Sequence, residues 1–165
     1  MNEKKWGFVS DYMRLDIIYK YGGIYLDTDI EMIKKPDQLL YQECFGCVDS
    51  SMTMNLGSGF GAIPKTKIIR ELRDYYDGIT FIKEDGSEDN TSCNSHSYHV
   101  LKKWGVMIND QLQNVGGMNI YPMIFQGANQ HTKKIYKTDK TFWIHYGNMS
   151  WFKRKSMEGT DEVCG

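Results

Sequence analysis

The sequence predicts a mixed α/β domain, and three observations carry that expectation. A stretch with helical spacing runs into Gly22-Gly23, a short β-prone run follows, and an acidic loop stops that run at Asp27. Helix, glycine turn, strand and loop in that order are the grammar of α/β folds. A strand–loop–strand–helix series then continues the alternation through the middle of the chain, whose 165 residues suit one domain with a sizeable core.

Taken in order, Ser10 is placed to cap the first helix, with Asp11 in the first turn, where the helix dipole favours a carboxylate. Met13, Ile17, Ile18 and Tyr21 then recur at helical spacing, and Gly22-Gly23 supplies the left-handed backbone that ends the helix. Strands are expected over 24–26 and 30–33, on either side of Asp27-Thr28-Asp29, and over 45–48 and 60–63, flanking a loop over 49–59. A helix over 66–76 follows, with Ile68, Ile69, Leu72, Tyr75 and Tyr76 on its apolar side. Residues 83–92 are charged, polar and glycine-bearing, and read as a solvated surface loop. A further helix is expected over 95–104 and a strand over 141–144. No linker signal divides the chain, so one domain is expected over 1–155 with a polar tail over 156–165.

Composition narrows the function classes. Twenty basic residues against twenty-one acidic ones leave a formal charge of −1, which provides no basic face for nucleic acid or an anionic membrane. No apolar run approaches the roughly 18 residues of a membrane span, and no signal-peptide pattern follows Met1. The expected location is therefore cytoplasmic, at most peripheral to a membrane, rather than the secretory lumen. The four cysteines are too few for a disulfide-stapled module. Cys44 and Cys47 have the spacing of a zinc knuckle or redox pair, but structural zinc wants a second such pair. They read as small buried thiols beside a strand. His96 and His99 lie three apart on a predicted helix, with nothing near them in sequence to complete a metal site.

The chemistry gathers at Asp27 and Asp29. Two carboxylates one residue apart at a strand end reach the same hard cation, and oxygen-rich sites of this kind suit Mg²⁺ or Mn²⁺ together with a diphosphate. An acidic pair alone is a weak signal, so other acidic-loop families need testing. An EF-hand starting at Asp27 needs glycine at its sixth position and glutamate at its twelfth, where this chain has Met32 and Gln38. A haloacid-dehalogenase-type phosphatase expects Thr or Val where Glu31 stands, and leaves the preceding helix and double glycine unexplained.

The wider block is more specific. Ser10-Asp11-Tyr12-Met13-Arg14, then Tyr19 and Tyr21-Gly22-Gly23-Ile24-Tyr25-Leu26-Asp27-Thr28-Asp29, closely resembles the DXD sugar-binding region of glycosyltransferase family 32. That family includes capsular polysaccharide synthesis enzymes and fungal initiating mannosyltransferases, and the same spacing occurs in the clostridial glucosylating toxins. Looser similarity continues through Asn55-Leu56-Gly57-Ser58-Gly59-Phe60-Gly61-Ala62, Tyr121-Pro122 and His145-Tyr146-Gly147-Asn148-Met149-Ser150-Trp151. Tyr146 stands where many members have a second histidine, so only His145 inherits a role.

The resemblance implies a GT-A-like nucleotide-diphospho-sugar transferase fold. Only nine residues precede Ser10. The expectation is thus a domain incomplete at its N-terminus, or one completed by another chain that supplies the missing portion. By the same resemblance Asp27, Asp29 and His145 hold Mn²⁺ or Mg²⁺, with Asp27 shared between metal and donor. Asp11 accepts from sugar or ribose hydroxyls, and Arg14 orients the glycosyl group through its planar fork. Asn55 touches the sugar or acceptor, and Ser150 and Trp151 close over the diphosphate as a lid. The implied reaction is metal-dependent, anomer-retaining transfer of a sugar from a nucleotide-sugar donor to a glycan or other hydroxyl acceptor, in polysaccharide or capsule biosynthesis. Asp11, Arg14 and Asp27 are the expected catalytic residues. The alternative is a non-catalytic remnant that binds metal and nucleoside diphosphate.

Overall fold

The computed structural model describes residues 4–129 and 134–147. Ser150, Trp151 and the 156–165 tail lie outside those residues. A long first helix, α1 (Lys4–Tyr21), leads into β1 (Gly23–Tyr25) and β2 (Ile30–Met32). β3 (Cys44–Cys47) and β4 (Phe60–Ala62) follow, then α2 (Lys67–Asp74) and α3 (Cys93–Lys102). The chain continues through β5 (Gln113–Val115), β6 (Met118–Tyr121), β7 (Ala128–Asn129), β8 (Lys134–Ile135) and β9 (Trp143–His145). The mixed α/β class expected from the sequence is what forms.

Five strands make one sheet in the order β1-β4-β3-β6-β5. The β3–β6 pair is parallel, and the other neighbours are antiparallel. Side chains alternate across this sheet. Leu15 and Ile18 of α1, Ile68, Ile69 and Leu72 of α2, and Val100 and Leu101 of α3 pack with Phe60, Met118 and Ile120 on one side. Phe45 and Cys47 meet Leu39, Phe142 and Trp143 in a second cluster. Phe142 and Trp143 are almost fully buried, and burying one such side chain is worth about 1.5–3 kcal/mol or more. β9 is therefore anchored by packing. Cys44 and Cys47 are buried free thiols, as expected, and burial pushes both thiol pKa values up. His96 stacks beside Tyr75 and Tyr76, and His99 beside Tyr75.

Several boundaries differ from expectation. α1 begins at Lys4, so Ser10 is inside the helix; its carbonyl and hydroxyl accept hydrogen bonds from Arg14 instead of capping an N–H. Met13, Ile17 and Tyr21 face solvent, and the buried stripe is Leu15 and Ile18. α3 begins earlier than expected because Ser92 caps it, its hydroxyl accepting from the Ser95 N–H at 3.2 Å. The β5–β6 hairpin lies outside the expected elements. It turns on Gly116 and Gly117, both at positive φ, the two-residue turn that matches strand twist.

Gly22 does behave as expected, with φ +70° and its N–H bonded to the Ile18 carbonyl at 2.8 Å. A Cβ there would also sit 2.8 Å from the Pro64 ring and 2.9 Å from the Ala62 carbonyl. The turn needs glycine for both conformation and space. Among the described residues, no helix is long and apolar enough to cross a membrane.

Candidate metal centre

β1 ends at Tyr25, and the chain then turns through Asp27-Thr28-Asp29, closed by the Ile30 N–H donating to the Asp27 carbonyl at 3.2 Å. β2 leaves this turn and pairs antiparallel with β9, with Ile30 opposite His145 and Met32 opposite Trp143. That register sets His145 beside the acidic turn. A further bond from the Tyr146 N–H to the Asp29 carbonyl, at 3.1 Å, fastens the two segments. One ligand atom from each of Asp27, Asp29 and His145 lies within 4.8 Å of the others.

His145 is buried, and its Nε2 is 3.3 Å from Asp29 Oδ1 while its Nδ1 is 3.1 Å from Ser58 Oγ. Burial lowers its pKa, outweighing the opposing pull of Asp29, Asp27 and Asp49, which favours the neutral imidazole. When Nδ1–H donates to Ser58, the Nε2 lone pair is turned on a carboxylate oxygen. In that tautomer Nε2 is the nitrogen that a cation shared with Asp29 would take; in the other, Nε2–H donates to the Asp29 carboxylate.

The other side of Asp27 is held by α1. Arg14 Nη2 is 2.8 Å from Asp11 Oδ1, and Nη1 is 3.5 Å from Asp27 Oδ1. The guanidinium carbon also lies 4.9 Å from the Tyr25 ring centroid. The Tyr25 hydroxyl donates to Asp27 Oδ1 at 2.7 Å, and burial holds that phenol above its ordinary pKa, so it remains a donor. Arg14 is only 8 % exposed and Asp11 18 %, so the intrahelical ion pair they form is largely shielded from solvent. For Asp11, burial pushes the pKa up to about 6, against the pull of Arg14 and with help from Asp27.

The loop before β4 completes the frame. Asn55 is buried, and its Oδ1 accepts from the N–H groups of Gly57 at 2.8 Å and Ser58 at 3.3 Å. Its Nδ2 donates to Asp49 Oδ2 at 3.0 Å, as does Asn94 Nδ2 at 3.0 Å from the start of α3. Asn55 thus shapes the loop that presses Gly57 on Asp27, where a Cβ would collide with Oδ2. Ser58 serves twice, reaching His145 with its hydroxyl and accepting from Trp143 Nε1 through its carbonyl at 2.6 Å.

The structure brings five of the expected residues together: Asp11, Arg14, Asp27, Asp29 and His145. It places Asn55 just behind them. Sequence reasoning assigned no role to Tyr25, Ser58 or Asp49, although Tyr25 and Ser58 lie inside the motifs that drew attention.

Residues 1–46 match a family model described as the glycosyltransferase sugar-binding region containing the DXD motif. The matched segment covers α1, β1, the acidic turn and β2, and supports a glycosyltransferase-like domain. Neither the curated proteins nor the solved structures include a match to the chain.

Proposed function

We propose that this chain is a cation-dependent glycosyltransferase domain of family 32 type and GT-A-like fold. In this reading it transfers a sugar from a nucleotide-sugar donor to a glycan or other hydroxyl acceptor in polysaccharide biosynthesis, in the cytoplasm, with retention at the anomeric carbon. The observation that carries the reading is the meeting of Asp27, Asp29 and His145 within 4.8 Å, in a chain whose first 46 residues match the DXD region.

The donor set fits a divalent metal. Two carboxylates and one neutral imidazole suit Mn²⁺ better than Mg²⁺, which prefers oxygen throughout. Asp27, Asp29 and His145 would hold it. A cation bound there supplies positive charge against the diphosphate that departs from the sugar, the kind of electrostatic help that usually dominates such reactions.

The remaining work belongs to the chain's own residues. Arg14 spans Asp11 and Asp27 with separate nitrogens, so one rigid fork fixes both carboxylates. Tyr25 keeps a proton on the hydrogen bond to Asp27 Oδ1, which restrains that carboxylate. Ser58 restrains the His145 ring from behind. Asp11, 18 % exposed at its side chain, is positioned to accept from a carbohydrate hydroxyl of the donor.

The test is release of nucleoside diphosphate from UDP-glucose and GDP-mannose with Mn²⁺, following the wild-type chain beside Asp29→Ala. Turnover in the wild type and its loss in the variant is the expected result. Metal-dependent binding without turnover would instead favour the non-catalytic remnant.

A further inference from the structure

Tyr76 carries a buried hydroxyl outside the hydrogen-bond network around Asp27. The residue is 5 % exposed, and its Oη has no hydrogen-bond partner among the described residues. A buried phenol without a partner forfeits its hydration for nothing in return, at a cost of about 1–3 kcal/mol. Such groups are rare, and one beside a candidate site calls for a ligand.

The ring is wedged between α1 and α3. It meets Phe8 of α1 edge-on, with centroids 5.5 Å apart, and His96 of α3 at 5.6 Å. One helical turn on from Phe8 is Asp11, and one turn back from His96 is Cys93. Both steps lead toward the same place, and Tyr76 interacts electrostatically with Asp11, Cys93 and Arg14. Asp11 and Arg14 are the residues that flank Asp27 on the side away from His145. Burial keeps the Tyr76 phenol protonated at physiological pH, so it offers a donor where Asp11 offers an acceptor, while the Cys93 thiol already donates to Asn94 Oδ1.

We propose that Tyr76 is a donor-binding residue, its phenol donating to a carbohydrate hydroxyl that in turn donates to Asp11. A hydroxyl is the group that both gives and accepts a hydrogen bond, so it satisfies the two side chains at once. The inference rests on the nucleotide-sugar reading above and adds to it a contact from α2's end of the fold. Ribose and the transferred sugar share this chemistry, and the experiment separates them.

The variant is Tyr76→Phe, which keeps the ring packing and removes only the hydroxyl. Calorimetric titrations with Mn²⁺ would compare UDP and GDP with UDP-glucose and GDP-mannose, alongside thermal melts of the free protein. The melting temperature should stay the same or rise, because the lost hydroxyl had no partner. Affinity for the diphosphate sugars should fall about tenfold, the worth of one hydrogen bond. If UDP or GDP weakens equally, the hydroxyl belongs to ribose; if only the diphosphate sugars weaken, it belongs to the transferred sugar. Unchanged affinity for all four ligands with a lower melting temperature would overturn the proposal and make Tyr76 a packing residue. Absence of any Mn²⁺-dependent binding by the wild-type chain would contradict the donor reading itself, a result distinct from anything the variant alone produces.

Discussion

At Asp11 the fold holds a carboxyl whose pKa is about 6, although Arg14 Nη2 lies only 2.8 Å away. A carboxyl raised on folding adds stability below its unfolded value, and that stability is lost as pH rises through the folded value. The window here runs from 3.8 to about 6, so charged Asp11 costs the ligand-free chain stability at neutral pH. Asp11→Asn should therefore stabilise the protein at pH 7.5 by on the order of 1–3 kcal/mol. The gain should vanish near pH 4, and denaturant titrations at the two pH values check it. Donor binding should fall in the same variant, as expected where a site is bought at the expense of stability. A less stable variant at pH 7.5 would show that the Arg14 pair outweighs burial. Arg14→Lys keeps the charge but cannot span both carboxylates with separate nitrogens. Turnover should drop at least about tenfold, with a stability loss on the order of 1–2 kcal/mol from the imperfectly paired buried charge. Normal turnover in initial-rate assays would remove Arg14 from the site.

The loop before β4 makes its own prediction at the scale of an element. Gly57 has no room for a side chain, because a Cβ would strike Asp27 Oδ2. Gly57→Ala should displace that carboxylate and weaken Mn²⁺-dependent nucleotide binding about tenfold or more by calorimetry, as misplacement of an ångström does elsewhere. Wild-type affinity would mean that Asp27 need not sit where it does. Elements were legible in the sequence where a local signal decides them. The Gly22-Gly23 turn needs positive φ, and the strand runs are β-prone in themselves. The start of α1 was not legible, since Ser10-Asp11 has the look of a cap and only the folded chain shows the Ser10 oxygens taken by Arg14. The buried face of α1 was not legible, because the helix is apolar on two sides and periodicity does not say which side meets the sheet. The β5–β6 hairpin does carry the Gly-Gly turn signal, but polar Gln113, Asn114 and Asn119 hide its strands.

For the whole molecule, the candidate centre joins three distant stretches: the acidic turn, the loop holding Ser58, and β9 with His145. Only the first is visible as local chemistry. His145 entered through a resemblance, and what sets it in place is the β2–β9 register together with the burial of Phe142 and Trp143. Spacing along the chain cannot express such a long-range pairing. A cation that bridges these stretches binds the folded chain only, so it should stabilise it by mass action, by about 2.7 kcal/mol at a hundred times its Kd. Thermal melts with and without Mn²⁺ check this, and no upward shift is expected for Asp29→Ala. The most direct test is calorimetric titration of Mn²⁺, in the presence of a saturating nucleoside diphosphate, into the wild-type chain, Asp29→Ala and His145→Ala. A metal centre at Asp27, Asp29 and His145 requires one saturable cation site per wild-type chain and at least about tenfold weaker binding in each variant, as loss of a metal ligand entails. Equal cation affinity in all three proteins would contradict it.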